Sequence, residues 1–184
     1  MRAFVALDIP DRTVVDSLVS VQGELSATGA DLRPVERENI HFTLKFLGEV
    51  SEPMAHEAAD RLGKISLRRE TVKLVGLGAF PGLSRPSVIW VGVANDDRSK
   101  VDSIAEAVLS SLRDIGERDD RPFQAHATLA RVRSGRNHGE LVSFLSTNSA
   151  REFGTVTLTA FSLKSSKLTP AGPIYEDVGV YPLA

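Results

Sequence analysis

The chain has 184 residues, 42% of them hydrophobic and 25% charged, with a formal net charge of -2 and no cysteine. That length suits one domain or two small lobes sharing a core; the missing cysteines exclude a disulfide framework, a thiol nucleophile and a Cys-ligated zinc, which fits the cytoplasm. The near-neutral charge argues against coating long nucleic acid through a bulk field, and no apolar run approaches the roughly 18–20 residues of a membrane span.

Residues 2–8 read as an opening strand, because Asp8 interrupts the apolar run too soon for a secretory signal. Val14, Val15, Leu18, Val19 and Leu25 then recur at helical spacing over 11–28, and Thr28-Gly29 stops them. A short strand at 32–35 precedes a stronger one at 40–47, where Ile40, Phe42, Leu44 and Phe46 alternate with His41, Thr43 and Lys45 until Gly48. Ser51 is placed to cap a helix over 52–66. Strands are expected at 70–80 and 88–93 around a Gly/Pro/Ser-rich loop at 81–87, then a helix from Asp96 or Asp97 to 115. A strand at 124–131, a helix at 137–147, one strand over 153–163, a Pro/Gly loop at 169–173 and a last strand at 174–181 complete the order. The similar series of elements in the two halves predicts a repeated α+β unit, two lobes with a cleft between them and no linker, making 1–184 a single bilobal domain.

Two tetrapeptides carry the chemistry. His41-Phe42-Thr43-Leu44 and His126-Ala127-Thr128-Leu129 share the form His-x-Thr-Leu, one copy per half. On a strand, each sets an imidazole and a hydroxyl on one face and turns its apolar residues to the other. Two imidazoles with ordinary pKa values near 6.5 on either side of a phosphorus can remove a proton from the attacking oxygen and protonate the leaving one. The two threonines can donate to nonbridging oxygens. From Arg121 to Arg136 there are four arginines and no acid, and Arg131 is a natural phosphate clamp. Strict alternation from His126 sends Arg131 to the far face, so it reaches a phosphate only if the strand bulges or ends there. Lys45 has the favourable parity, two beyond Thr43, and is expected to touch phosphate or ribose, or else to be solvated.

Other motifs carry less. His56 lacks the second histidine of a zinc-protease helix, and His138 reads as a loop or helix-start residue. Gly76-Leu77-Gly78 lacks the third glycine of a dinucleotide fingerprint and reads as a strand irregularity. No P-loop is present, so nucleotide hydrolysis by one is unsupported.

Residues 41–50 and 123–131 resemble the paired signatures of the two-histidine phosphoesterase superfamily, most closely its RNA 2′,3′-cyclic phosphodiesterases, also called 2′-5′ RNA ligases. The likeness extends to the strand Phe4–Asp8, to 78–81 with 88–92, and to the closing segment 162–175. It implies two antiparallel sheets facing a central cleft with helices outside, and metal-free hydrolysis of a terminal 2′,3′-cyclic phosphate to a 2′-phosphomonoester. It also implies His41 as proton donor, His126 as proton acceptor, Thr43 and Thr128 as phosphate holders and Arg131 as a substrate-binding residue. The expected partner is RNA ending in a cyclic phosphate, tRNA fragments included, acted on by a cytoplasmic monomer with no membrane association. A 5′-hydroxyl replacing water would give reversible 2′-5′ ligation, with hydrolysis dominant. Residues 32–39 contain Pro34 but no aromatic, which leaves the base preference open. Two other readings stand beside this one: a cyclic phosphodiesterase for small nucleotides such as an ADP-ribose cyclic phosphate, and a non-catalytic RNA-binding module.

Overall fold

The structure is a computed structural model describing all 184 residues. In chain order the elements are β1 (Arg2–Asp8), α1 (Arg12–Ala27), β2 (Leu32–Pro34), β3 (His41–Glu49), α2 (Glu52–Leu62), β4 (Glu70–Gly82) and β5 (Arg85–Val93). They continue with α3 (Arg98–Ser111), β6 (Ala127–Val132), α4 (His138–Thr147), β7 (Glu152–Leu158), β8 (Ala160–Thr169) and β9 (Gly172–Pro182). No helix is long and apolar enough to cross a membrane.

Local chemistry starts the helices where the sequence predicts. The Asp11 carboxylate accepts from the Val14 N–H at the head of α1, and the Ser51 hydroxyl accepts from Met54 at the head of α2. The stripe of α1 buries Val14, Val15, Leu18, Val21 and Leu25.

All strand pairs are antiparallel, and the sheet runs β7-β4-β5-β6-β3-β1-β8-β9 with β2 added on β6. The expected two sheets are thus two four-stranded halves, β7-β4-β5-β6 and β3-β1-β8-β9, joined by the single pair Phe42↔Ala127. The helices are exchanged between halves: α1, which follows β1, packs on β6 and β7, while α3, which follows β5, packs on β3 as well as β4. One apolar cluster of 42 buried residues, including Phe42, Leu44, Ala127 and Leu129, therefore runs through both halves.

Two expected boundaries are corrected. The loop at 81–87 contracts to a two-residue turn, because Pro81 and Pro86 face each other at the strand ends, where neither needs a ladder N–H. The single strand at 153–163 is two: β7 pairs with β4 at one edge of the sheet, while β8 pairs with β1 in the other half. Thr159 carries the crossover without any Gly or Pro to mark it.

The motif strands are not regular. The β1–β3 ladder skips Leu44 between Val5↔Lys45 and Ala6↔Thr43, and the β5–β6 ladder skips Leu129 between Ile89↔Ala130 and Trp90↔Thr128. Each motif leucine is thus the extra residue of a β-bulge, and beyond it the side-chain parity inverts. In β6 the bulge carbonyl of Leu129 accepts from the Val35 N–H at 2.9 Å and from Gln22 Nε2 at 2.8 Å. The same Gln22 amide donates to the Val35 carbonyl at 2.9 Å, so a polar residue on the buried stripe of α1 holds the bulge in place. Replacing Gln22 by Met should lower unfolding free energy by about 1–3 kcal/mol, because these carbonyls lose a buried donor. Urea denaturation measures it, and an unchanged midpoint would deny the amide that role.

Candidate active site

His41 opens β3, and His126 stands immediately before β6. The residues that follow them, Phe42 and Ala127, are the one pair joining the two half-sheets. Its antiparallel sense sets His41 on the Thr128 side and Thr43 on the His126 side, so the motifs meet about a local twofold. The imidazoles are near enough that His126 is among the groups depressing the pKa of His41.

Each ring is oriented in the same way. His41 Nδ1 lies 2.7 Å from the Asn39 carbonyl oxygen, and His126 Nδ1 lies 2.7 Å from that of Gln124. A carbonyl only accepts, so Nδ1–H is the donor in both rings and Nε2 is the titrating nitrogen. In the first motif Nε2 is 2.9 Å from Thr43 Oγ1, which donates to it while the ring is neutral. Aromatic packing fixes the ring planes. His41 stacks on Phe4, with 5.2 Å between centroids, and meets the edge of Tyr175 at 5.7 Å. His126 meets Phe80 edge-on at 4.8 Å and lies 6.0 Å from the Trp90 ring. The Trp90 indole crosses β4 at Gly78, where any Cβ would collide with its six-membered ring.

Burial depresses both histidines below the ordinary value. For His41 the hydrogen bond to Asn39 and the charge of Asp8 oppose it, while Lys164 and His126 add to the depression. For His126 only the bond to Gln124 opposes burial. A carboxylate stands at only one of the two sites. Asp8 pairs across from His41 in β1, and the register of β5 against β6 puts Gly92 in the corresponding place beside His126. Asp8 accepts from Lys164 Nζ at 3.3 Å and from the Ser162 hydroxyl at 3.2 Å, and Lys164 also binds Asp177 at 2.7 Å.

The bulges decide where the remaining expected residues go. Past Leu129, the inverted parity returns Arg131 to the face of His126 and Thr128, and its charge acts on the Tyr175 hydroxyl, which burial otherwise pushes up. The bulge that the alternation argument required is present. The expectation for Lys45 is corrected by the same device in β3. Leu44 and Lys45 both turn inward, Lys45 is 2% exposed, and its ammonium is held by the Asp119 carboxylate at 2.6 Å and the Glu117 carbonyl at 3.0 Å. It ties β3 to the segment leading into His126 and is not free for a phosphate. Phe46 takes the position in the first motif that Arg131 takes in the second, 59% exposed and 6.4 Å from Phe4 between ring centroids. The alternation had placed Phe46 in the core. Phe4, Asp8 and Tyr175, none singled out for a role by the sequence, border His41 because β1 and β9 bring them there. His56 is exposed on α2 and His138 on α4, apart from the site. Gly76 has φ +85 at a register shift in β4, the irregularity its sequence suggested.

Comparisons with known proteins bear on the family and the fold. The family model described as LigT-like phosphoesterase matches twice, over residues 9–90 and 91–175. A protein from Archaeoglobus fulgidus named RNA 2′,3′-cyclic phosphodiesterase is 36% identical over 181 residues, covering 98% of this chain and 99% of its own. One of the same name from Aeropyrum pernix is 39% identical over 165 residues, or 89% and 93%. Among solved structures, apo LigT of E. coli superposes with a TM-score of 0.78 at 25% identity, covering 99% of this chain and 96% of its own. TT0787 of Thermus thermophilus superposes with a TM-score of 0.78 at 26% identity, covering 100% and 98%.

Replacing Lys45 by Met should lower stability by about 1–3 kcal/mol through the loss of two charge-assisted hydrogen bonds. Its turnover, measured at a temperature where the variant is folded, should stay within a few-fold of the parent. Full stability with lost turnover would return Lys45 to the phosphate.

Proposed function

This chain belongs to the LigT-like phosphoesterase family, the two-histidine phosphoesterases, and on that premise we propose that it hydrolyses the terminal 2′,3′-cyclic phosphate of RNA to a 2′-phosphomonoester. The observation that supports this most is the matched pair of imidazoles, each with Nδ1–H spent on a backbone carbonyl and Nε2 left to move a proton. The names of the relatives supply the substrate class.

The chemistry is an in-line displacement at phosphorus. His126, neutral, takes a proton from water as its oxygen attacks. The P–O3′ bond breaks, and His41, as imidazolium, protonates O3′. Asp8 gives this division of labour a physical ground. Its carboxylate favours the charged ring at His41, while the matching position beside His126 is Gly92. Once His41 is protonated its Nε2 no longer accepts from Thr43, whose O–H is freed for a nonbridging oxygen. Thr128 serves another, and the Arg131 fork spans two. The reading includes a monomer acting in the cytoplasm on RNA ends, with tRNA fragments among them, and a minor reversible 2′-5′ ligation.

Replacing either His41 or His126 by Ala should cut turnover of a cyclic-phosphate-terminated oligonucleotide by at least about 10²-fold with the fold retained. A folded variant near the parent rate would remove that residue from the mechanism. The pH dependence follows from the shifts. His41 must be charged and His126 neutral, and both titrate below the ordinary value, so kcat/KM should peak on the acid side of about 6.5 and fall as pH rises through the His41 pKa. In Asp8→Asn the charged form of His41 loses its support, so the alkaline limb should move to lower pH and the acid limb stay. A shift of the acid limb alone would exchange the two roles.

A further inference from the structure

A partly open pocket of about 250 Å³ lies beside His126 and has no part in the hydrolysis just described. Trp90, Leu77 and Phe123 are among its lining residues, together with Gln124 and with Arg98 and Asp102, which are exposed at its rim. Two of these residues tie it to the catalytic ring. Gln124 holds His126 Nδ1 through its carbonyl, and Trp90 packs beside the imidazole. At 250 Å³ it is smaller than the roughly 300–1,000 Å³ of sites for drug-sized ligands, a size for one planar group. Arg98 and Asp102, one turn apart on α3, give the rim one charge of each sign, which suits the donors and acceptors of a nucleobase better than a phosphate.

The strand order says which nucleobase. The pocket is built on β4, β5 and the segment before β6, so β6 lies between it and β3, which carries His41. In an in-line displacement the departing O3′ and its nucleoside lie on the side of the acid, and the attacking oxygen on the side of the base. The pocket is on the attacking side. We propose that it binds the base of an acceptor nucleoside whose 5′-hydroxyl replaces water, making the site a subsite for 2′-5′ transfer; this rests on the acid and base roles assigned above. In the transfer, O5′ bonds to phosphorus and gives its proton to His126 Nε2, while the P–O3′ bond breaks and O3′ takes the proton of His41. The product is a 2′-5′ phosphodiester with a free 3′-hydroxyl, and no nucleotide is consumed. Water at about 55 M is outcompeted only by a hydroxyl held at high effective concentration, which a bound base supplies. Run backwards, the same subsite holds the leaving nucleoside during cleavage of a 2′-5′ linkage.

The test uses the whole chain and the double variant Arg98→Ala/Asp102→Ala, both positions being exposed on α3. Three measurements are made: hydrolysis of a nucleoside 2′,3′-cyclic monophosphate, cleavage of a 2′-5′-linked dinucleoside monophosphate, and quenching of Trp90, the chain's one tryptophan, by a free nucleoside against ribose. The nucleoside should quench and ribose should not. The variant should lose about tenfold or more in nucleoside affinity and in dinucleoside kcat/KM, the scale of one base contact, with cyclic mononucleotide hydrolysis kept within about twofold. Equal loss in both reactions, or no loss in either, overturns the subsite. So does a parent chain that hydrolyses the cyclic mononucleotide but neither cleaves the dinucleoside nor is quenched. A parent chain inactive on the cyclic mononucleotide overturns instead the reading on which the subsite rests.

Discussion

One backbone pairing, Phe42 with Ala127, governs the site. It is the only ladder contact between two otherwise separate four-stranded half-sheets, and it falls on the residue following each motif histidine. An antiparallel pair related by a local twofold presents what lies beside it in equivalent positions, so two copies of one tetrapeptide come to flank one candidate site. Both residues are fully buried, and the exchanged packing of α1 and α3 over the opposite halves keeps the pair from parting. A sheet joined so narrowly needs its helices to hold it together.

The bulges at Leu44 and Leu129 are the second constraint. A regular strand offers one face to the substrate at every second residue; a bulge just past the threonine changes which residue comes next. In β6 this replaces Ala130 with Arg131 on the open face, and in β3 it replaces Lys45 with Phe46. The same distortion therefore gives one half a cation and the other half an aromatic surface. A phosphate with a nucleoside attached is asymmetric in the same sense, one end charged and the other flat and apolar.

Asymmetry in proton affinity comes from a neighbouring strand. Asp8 and Gly92 occupy matching positions in β1 and β5, and only the first offers a charge to its histidine. Burial lowers both rings and weighs more on His41, where Asp8 raises the proton affinity and Lys164 and His126 lower it; His126 has neither a carboxylate nor an ammonium beside it. Aromatic contacts divide likewise: Phe4 and Tyr175 belong to His41, Phe80 and Trp90 to His126. The repeated motif thus stands in two different surroundings, and on that difference rests the division of roles proposed for its histidines.

Much of this was legible in the residues. The twin His-x-Thr-Leu pattern, the alternation that buries Phe42 and Leu44, and the cap at Ser51 are short-range features, and periodicity and hydrogen-bonding chemistry read short range well. The fate of Lys45 and Phe46 was not legible, because a single skipped residue inverts parity and only the partner strand records the skip. The split of residues 153–163 into β7 and β8 was hidden for a similar reason: a change of pairing partner leaves no mark in hydrophobic alternation. The carboxylate beside His41, the Gln22 amide under the β6 bulge and the pocket behind His126 join residues far apart in the chain. Local pattern chose the reactive groups. Tertiary pairing, which acts through backbone register and not through side-chain identity, chose which way they point and what stands beside them.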